Sequence, residues 1–347
     1  MAAAALAAAG VVAAAVLLAR SGLGSPAPFA ASDPPPGLAE RFHPPENWAW
    51  GLIQAGDGPV QRYGVAAPDA VAKADVLILP GYGETAETWF ETARELTGAG
   101  DAVWVLEGAG QGGSARLTGQ RDLGEVRSFD GDVAAVKAMI QTVIRPQPRR
   151  PLVVLGEGVG ALVAARAAES WAVAGGLVLS QPDCRPRGPA GLLVRLGLGG
   201  VRAPDGEGWR RDGPDDFARG RTHDPWRGAV TRAWQLANPD LRMGGPSLDW
   251  LAAFDAMQRR AGADAKLIAT PTLQVESVGA VRCLDVVGAQ TVEIAGAGPA
   301  LELEDDAHRR PWLAALTRFV ADLARRADPH PGGAAAQPDL FKPPARR

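Results

Sequence analysis

The sequence predicts a doubly wound α/β domain on a mostly parallel sheet with helices on both faces. Three observations point to it: short apolar runs that do not alternate, helical patterns between them, and Gly-rich turns closing three of the runs. The first two strands, 48–54 and 60–66, flank Gly56-Asp57-Gly58 and read as an opening hairpin, because glycine supplies the positive φ of a tight reversal. Continuous apolar runs follow at 76–79, 103–106, 152–155, 177–179 and 272–275, with a weaker one at 291–294. Runs of this length bounded by Gly or Pro suit strands buried on both faces, where no side chain has to meet water. Apolar spacings of three and four predict helices over 85–97, 129–144, 160–169 and 309–326. Between about 185 and 266 the chain turns Gly- and Arg-rich, then helical over 248–260. Inserted after a strand, that region is expected to sit above the sheet as a lid.

A chain of 347 residues, 46% hydrophobic and 22% charged, can bury a sizeable core. Its formal net charge of -3 argues against a nucleic-acid partner, since phosphate binding wants a basic face. Cys184 and Cys283 are too few for a disulfide framework and read first as small buried apolar residues. His43, His223, His308 and His330 are scattered without ligand spacing, so neither a metal nor another cofactor is expected. Residues 2–19 carry no charge and are mostly Ala. The segment 1–20 therefore reads as an uncleaved anchor, a cleaved signal, or the product of a misassigned start; either of the first two places the domain in the cell envelope. Residues 21–46, with Pro34-Pro35-Pro36 and Pro44-Pro45, read as a stiff, extended linker to a domain over 47–326. The Pro- and Ala-rich stretch 327–347 reads as a disordered tail.

Sites in α/β proteins form at the carboxyl ends of strands, where the three Gly-rich turns lie. They are Leu79-Pro80-Gly81-Tyr82-Gly83-Glu84, Glu107-Gly108-Ala109-Gly110-Gln111-Gly112-Gly113-Ser114 and Gly156-Glu157-Gly158-Val159-Gly160-Ala161. The third fits G-x-G-x-x-A and the second G-x-G-x-x-G, both dinucleotide fingerprints. A ribose-binding acid should then close the next strand. After Gly156 that strand ends in Ser180-Gln181, and after Gly108 no strand follows promptly. Such a fingerprint also opens its domain, whereas several strands come first here. A nucleophile elbow, G-x-S-x-G with Gly158 in place of the serine, is the better reading of the third turn.

Together with this elbow, five further motifs occur in a fixed order. The chain resembles the α/β-hydrolase branch that contains bacterial lysophospholipases and monoacylglycerol lipases. Leu79 to Glu84 resembles the oxyanion-hole turn after the third strand, and Gly108 to Ser114 the R-G-x-G-x-S loop after the fourth. Val126-Arg127-Ser128-Phe129-Asp130 is similar to the lead into the helix before the elbow, and Leu179-Ser180-Gln181-Pro182 to the end of the sixth strand. Arg242-Met243-Gly244-Gly245-Pro246-Ser247-Leu248-Asp249-Trp250 resembles a lysophospholipase pattern. The likeness runs from about Trp48 to Leu323.

The resemblance implies a Ser–Asp–His triad, in which a hydroxyl attacks, an imidazole takes its proton and a carboxylate orients the imidazole. Here Gly158 stands at the serine, Val278 at the acid and Pro299 at the histidine, within Gly296-Ala297-Gly298-Pro299-Ala300-Leu301-Glu302. The substitutes fit poorly. His308 reads as a surface residue beside the last helix, and Asp285 as a surface aspartate on a helix. Ser180, Ser277 and Cys184 lie near strand ends but off the elbow, and Glu107 and Ser114 belong to a loop that is structural in the family. Glu157 is the most unusual polar residue and the weak substitute, as a displaced carboxylate able to activate water. Glycine relieves the strain of an elbow centre, so Gly158 is expected to take a positive φ. The amides of Tyr82 and Val159 are expected to form an oxyanion-hole-like nest.

Two functions follow from these residues. The first is a catalytically inactive homologue that binds an acyl or lipid ligand, or a protein partner, at the envelope membrane through its N-terminal segment. The alternative is an active acyl-ester hydrolase using a relocated group such as Glu157, with a nucleotide-dependent enzyme as a third reading. Because Cys184 and Cys283 follow strands that are neighbours in this fold, an export-dependent disulfide stays open beside the unpaired reading.

Overall fold

The computed structural model describes residues 28–170, 175–185, 190–213 and 220–328. The expected anchor or signal (1–20) lies outside them, as does all but the first two residues of the expected tail. No helix among the described residues is long and apolar enough to cross a membrane.

Eight strands form one sheet: β1 (Ala49–Gln54), β2 (Val60–Ala66), β3 (Asp75–Leu79), β4 (Ala102–Leu106), β5 (Leu152–Glu157), β6 (Gly175–Ser180), β7 (Thr272–Ser277) and β8 (Gln290–Ile294). Their order is β1-β2-β4-β3-β5-β6-β7-β8, with β2 antiparallel to both its neighbours and every other pair parallel. The α-helices among the described residues are α1 (Phe90–Ala99), α2 (Asp130–Ala138), α3 (Val159–Ser170), α4 (Ala190–Leu193), α5 (Pro225–Gly228), α6 (Val230–Ala237), α7 (Leu248–Asp264) and α8 (Asp306–Ala327). The predicted helix over 85–97 opens with a 3-10 turn, Ala86–Trp89, and the one over 129–144 ends in a π turn, Met139–Ile144.

The absence of alternation in the strands has a direct cause. Leu77, Leu79, Leu152, Val154, Leu177 and Leu179 pack with α2, α3 and α7 on one face of the sheet. Their neighbours Val76, Ile78, Val153, Leu155 and Val178 pack with α1 and α8 on the other, against Trp89, Trp312 and Phe319. Both faces are dry, and each large aliphatic side chain so buried contributes about 1.5–3 kcal/mol.

Two boundaries differ from expectation. The helix over 248–260 does not belong to a lid: α7 buries Leu248, Trp250, Phe254, Met257 and Ala261 in the sheet-face layer beside α3. The segment that leaves the layer ends at Ser247, whose Oγ caps α7 by accepting from Trp250 N at 3.0 Å. The second correction concerns the linker, which from Pro28 onward is a strap docked on the domain. Phe29 N donates to Gly113 O at 3.1 Å, and Asp33 and Asn238 exchange bonds of 2.8 and 2.9 Å. Phe42 is buried with Phe90, Trp234 and Leu241. The aromatic residues between the prolines supply apolar area, and prolines reduce the freedom lost on docking.

Beneath the strap lies a buried ion network. Arg62 on β2 donates to Glu107 at 2.8 and 2.5 Å and to Glu87 at 2.9 Å, all three side chains being fully buried. Burial works against the guanidinium charge, but the two carboxylates outweigh it and raise its pKa. Phe29 and Trp50 lie on the guanidinium at 4.7 and 4.1 Å. Glu107 also accepts from Ala86 N at 2.8 Å and Gly113 N at 2.7 Å, and Gln111 Oε1 accepts from Gly83 N at 2.9 Å, so the second Gly-rich turn is tied to the first.

Candidate functional site

The strand-to-helix turn between β5 and α3 has the backbone of an elbow. Gly158 has φ +53°, its amide donates to Ser180 O at 3.1 Å, and its carbonyl accepts from Asp183 N at 3.1 Å. The three glycines of the turn differ in what they have to be. A Cβ at Gly156 would run into Gly160 O and the Ala161 backbone, and one at Gly160 into Leu79 O and the Pro80 carbonyl. Those glycines let α3 approach β3 and β5. A Cβ at Gly158 would meet only Gly81 Cα, at 3.8 Å, an ordinary contact. Packing therefore has no need of glycine at 158; only the backbone conformation favours it.

A cavity of about 600 Å³ opens in front of this turn, with Tyr82, Glu157, Gly158, Val159, Val278 and Pro299 on its wall. The two residues expected to supply the oxyanion-hole amides thus share the cavity with Gly158, Val278 and Pro299, the three positions expected for the triad. Val278 is 58% exposed and its amide pairs with Ile294 O at 3.1 Å. None of the described histidines lines this cavity. Ser180 is fully buried and its Oγ accepts from Trp312 Nε1 at 3.0 Å. Ser277 is at the cavity, but its amide and hydroxyl both contact Gln181 Oε1, at 2.7 and 3.2 Å. Ser114 belongs to the loop network, with Oγ accepting from Arg62 N at 2.9 Å. Asp285 is exposed in an irregular stretch rather than on the helix expected for it.

Behind the elbow lies a group the sequence did not expose. Glu84, Glu157 and Glu302 are all buried, with a carboxyl oxygen of each within 4.8 Å of the others. Arg221 reaches Glu84 Oε1 at 3.2 Å and Glu157 Oε1 at 3.9 Å. Glu84 also accepts from Gly81 N at 3.0 Å and Trp89 Nε1 at 3.2 Å. Neither oxygen of Glu302 has a hydrogen-bond partner among the described residues, nor has Glu157 Oε2. Burial first, then the charge of Glu84, pushes Glu302 up to about 8. Burial, then Glu84 and Glu302, raises Glu157 well above the carboxylate range. Burial and neighbouring like charge both favour the neutral acid in such carboxyls. The weak substitute, Glu157, thus lines the cavity while one of its oxygens turns inward toward Gly81.

Arg221 comes from a short strap above the sheet. Ala300 N donates to Arg221 O at 3.1 Å, and Thr222 Oγ1 donates to Leu303 O at 2.6 Å. His223 bonds Glu304 through both its amide, at 2.9 Å, and Nδ1, at 2.9 Å. Burial works against the Glu304 charge, but the amides of His223 and Gly298 and the His223 ring outweigh it and lower its pKa. The strap thus crosses the turn that carries Pro299.

Cys184 and Cys283 form a disulfide, which corrects their reading as unpaired apolar residues. It links the chain after β6 to the chain after β7, and Cys184 lies on the cavity wall. Sequence spacing also hid a histidine pair: His223 and His308 lie with ring centroids 5.4 Å apart. Among the described residues two groups can bring three ligand atoms within 4.8 Å for a metal, Glu84–Glu157–Glu302 and His223–Glu304–His308. Glu84, Glu302 and Arg221 were missed as site residues because only folding brings them together; an isolated acid in each Gly-rich turn was the available signal.

Comparison with known proteins gives concordant results. The model of a family described as serine aminopeptidase, S33 matches residues 70–280. Lysophospholipase L2 of Escherichia coli K12 is 26% identical, over 58% of this chain and 62% of that protein, and the same protein of E. coli O6:H1 matches to the same extent. The chain thus spans under two thirds of the length of these curated relatives. Among solved structures, a monoacylglycerol lipase of Paleococcus ferrophilus matches with TM-score 0.56 and 19% identity, over 75% of this chain and 98% of its own. A soluble variant of monoglyceride lipase from Saccharomyces cerevisiae matches with TM-score 0.58 and 15% identity, over 82% and 99%. A carboxyl esterase of Bacillus coagulans matches with TM-score 0.59 and 13% identity, over 80% and 99%. At these identities the structural likeness is one of fold.

Proposed function

The chain belongs to the serine aminopeptidase S33 family of α/β-hydrolases, and from that premise we propose that it is a catalytically silent member that binds an acyl or lipid ligand. One observation carries the reading. The elbow, the cavity and the flanking glycines are retained, while the one position with room for a nucleophile is Gly158. The two partner positions on the same cavity wall hold Val278 and Pro299, neither of which can orient or relay a proton. The lysophospholipase and monoacylglycerol lipase relatives suggest the chemical class of the ligand: an acyl chain with a polar head near the amides of Tyr82 and Val159.

A serine-directed fluorophosphonate tests the silent site. We expect no labelling of the purified chain, and stoichiometric labelling at any serine would overturn the reading. Mass spectrometry of organic extracts tests the ligand: a co-purifying fatty acid or lysolipid is expected, and none should remain when Val159→Trp fills the cavity. Hydrolysis of short acyl esters that disappears in Glu157→Gln would instead favour a relocated catalytic group. The inward oxygen and the raised pKa of Glu157 weigh against that alternative.

The same proposal places the domain in the cell envelope. The Cys184–Cys283 disulfide supports it, since such bonds persist where thiols are not kept reduced.

A further inference from the structure

The histidine pair at the strap belongs neither to the elbow nor to the carboxyl cluster. His223 Nδ1 lies 2.9 Å from Glu304 Oε1, and His308 Nδ1 lies 2.7 Å from Asp305 Oδ1. Glu304 already accepts the amides of His223, Asp305 and Gly298, and Asp305 accepts the amide of His308. Carboxylate oxygens in that position can only accept, so each ring carries its proton on Nδ1. In the neutral ring each Nε2 is then the acceptor, and neither has a hydrogen-bond partner among the described residues. Gly296, at φ +76°, keeps the space beside one of them open: a Cβ there would sit 3.2 Å from His308 Nε2.

We propose that His223 and His308 bind a divalent transition metal of the Zn²⁺ type, which staples the strap to the start of α8. A carboxylate holding Nδ1–H while Nε2 takes the metal is the common outer-shell arrangement of ligating histidines, and Glu304 and Asp305 both occupy that place. Imidazole nitrogen selects Zn²⁺, Ni²⁺ or Cu²⁺ over Mg²⁺ or Ca²⁺. One ring nitrogen of each histidine and a carboxylate oxygen of Glu304 lie within 4.8 Å of one another. Two nitrogens on one Zn²⁺ sit about 3.4 Å apart at a Zn–N distance of about 2.1 Å, so the two rings, with centroids 5.4 Å apart, must turn their Nε2 atoms toward each other to share an ion. The His223 side chain is 55% exposed, so its Nε2 edge faces away from the Glu304 contact toward open space. Gly220 and Arg221, next to His223, line the cavity, so the metal would fix one of its walls.

Calorimetric titration of the chelator-treated full chain with Zn²⁺ tests this, alongside the thermal midpoint with and without Zn²⁺. We expect one ion per chain and a raised midpoint. His223→Gln and His308→Gln should each weaken binding at least tenfold and abolish the thermal shift. His43→Gln and His330→Gln should change neither. Cobalt substitution gives a second readout, a d–d absorption present in the parent chain and lost in both strap variants. The assignment is overturned if Zn²⁺ binds no tighter than millimolar, if both strap variants bind as the parent does, or if His330→Gln removes the binding instead.

Discussion

At Gly158 the steric and conformational requirements pull apart. A side chain there has room, but φ +53° costs an L-residue about 1–2 kcal/mol. Gly158→Ser should therefore fold, with a loss of about 1 kcal/mol in urea unfolding. Gly160→Ala should lose more than about 3 kcal/mol, because its methyl meets the Leu79 and Pro80 carbonyls. Gly158→Ser alone should not hydrolyse short acyl esters, since Val278 and Pro299 supply neither acid nor base; turnover by the single variant would mean that a base survives near the elbow. Glu302 gives a second residue-scale prediction, through its proton. Its carboxyl titrates at about 8 when folded against 4.5 ordinarily. The folded state keeps a proton that the unfolded chain releases, so this contribution is full below about 4.5 and is lost as pH rises through about 8. Glu302→Gln keeps the neutral shape and should gain on the parent between pH 5 and pH 9, read as urea midpoints; parallel profiles would count against a protonated cluster. Gly158, Val278, Pro299 and Glu157 could be singled out from the sequence, and all four line one cavity. Arg221 and Glu302 could not, because their importance comes from meeting across the strap.

At the scale of elements, every strand expected from an apolar run is present, most of them a residue or two longer. In a sheet dry on both faces the apolar run and the strand are the same object, which makes such strands easy to read. The N-terminal strap was misread because proline-rich composition describes local stiffness and says nothing of Asp33 meeting Asn238. Its anchor can be tested. Phe42 is 4% exposed among Phe90, Val230, Trp234 and Leu241, so Phe42→Ala should cost about 3–5 kcal/mol by thermal or urea unfolding. An unchanged midpoint would restore the free-linker reading. The network beneath responds differently, because Glu107→Ala leaves Arg62 buried with one carboxylate fewer. A loss of about 3–5 kcal/mol is expected, and the second Gly-rich turn should exchange its amides faster.

For the whole molecule, the disulfide is the covalent link between two walls of the cavity. Cys184 and Cys283 are 99 residues apart in sequence, and α4 to α7 together with β7 lie between them. Closing a loop of about 100 residues restricts the unfolded chain by about 4.7 kcal/mol in the chain-entropy account, and native bridges typically contribute about 2–4 kcal/mol. Cys184→Ser with Cys283→Ser should thus lower stability by about 2–4 kcal/mol, and dithiothreitol should lower the parent to the same level without affecting the double variant. The compartment enters through the same bond. Protein exported to an oxidising space should show no maleimide-reactive thiol after denaturation, whereas protein kept in a reducing cytosol should show two. If the exported chain retained free thiols, or if reduction left its unfolding midpoint in place, the bridge would contribute nothing to the fold, and the envelope proposal would lose its structural support.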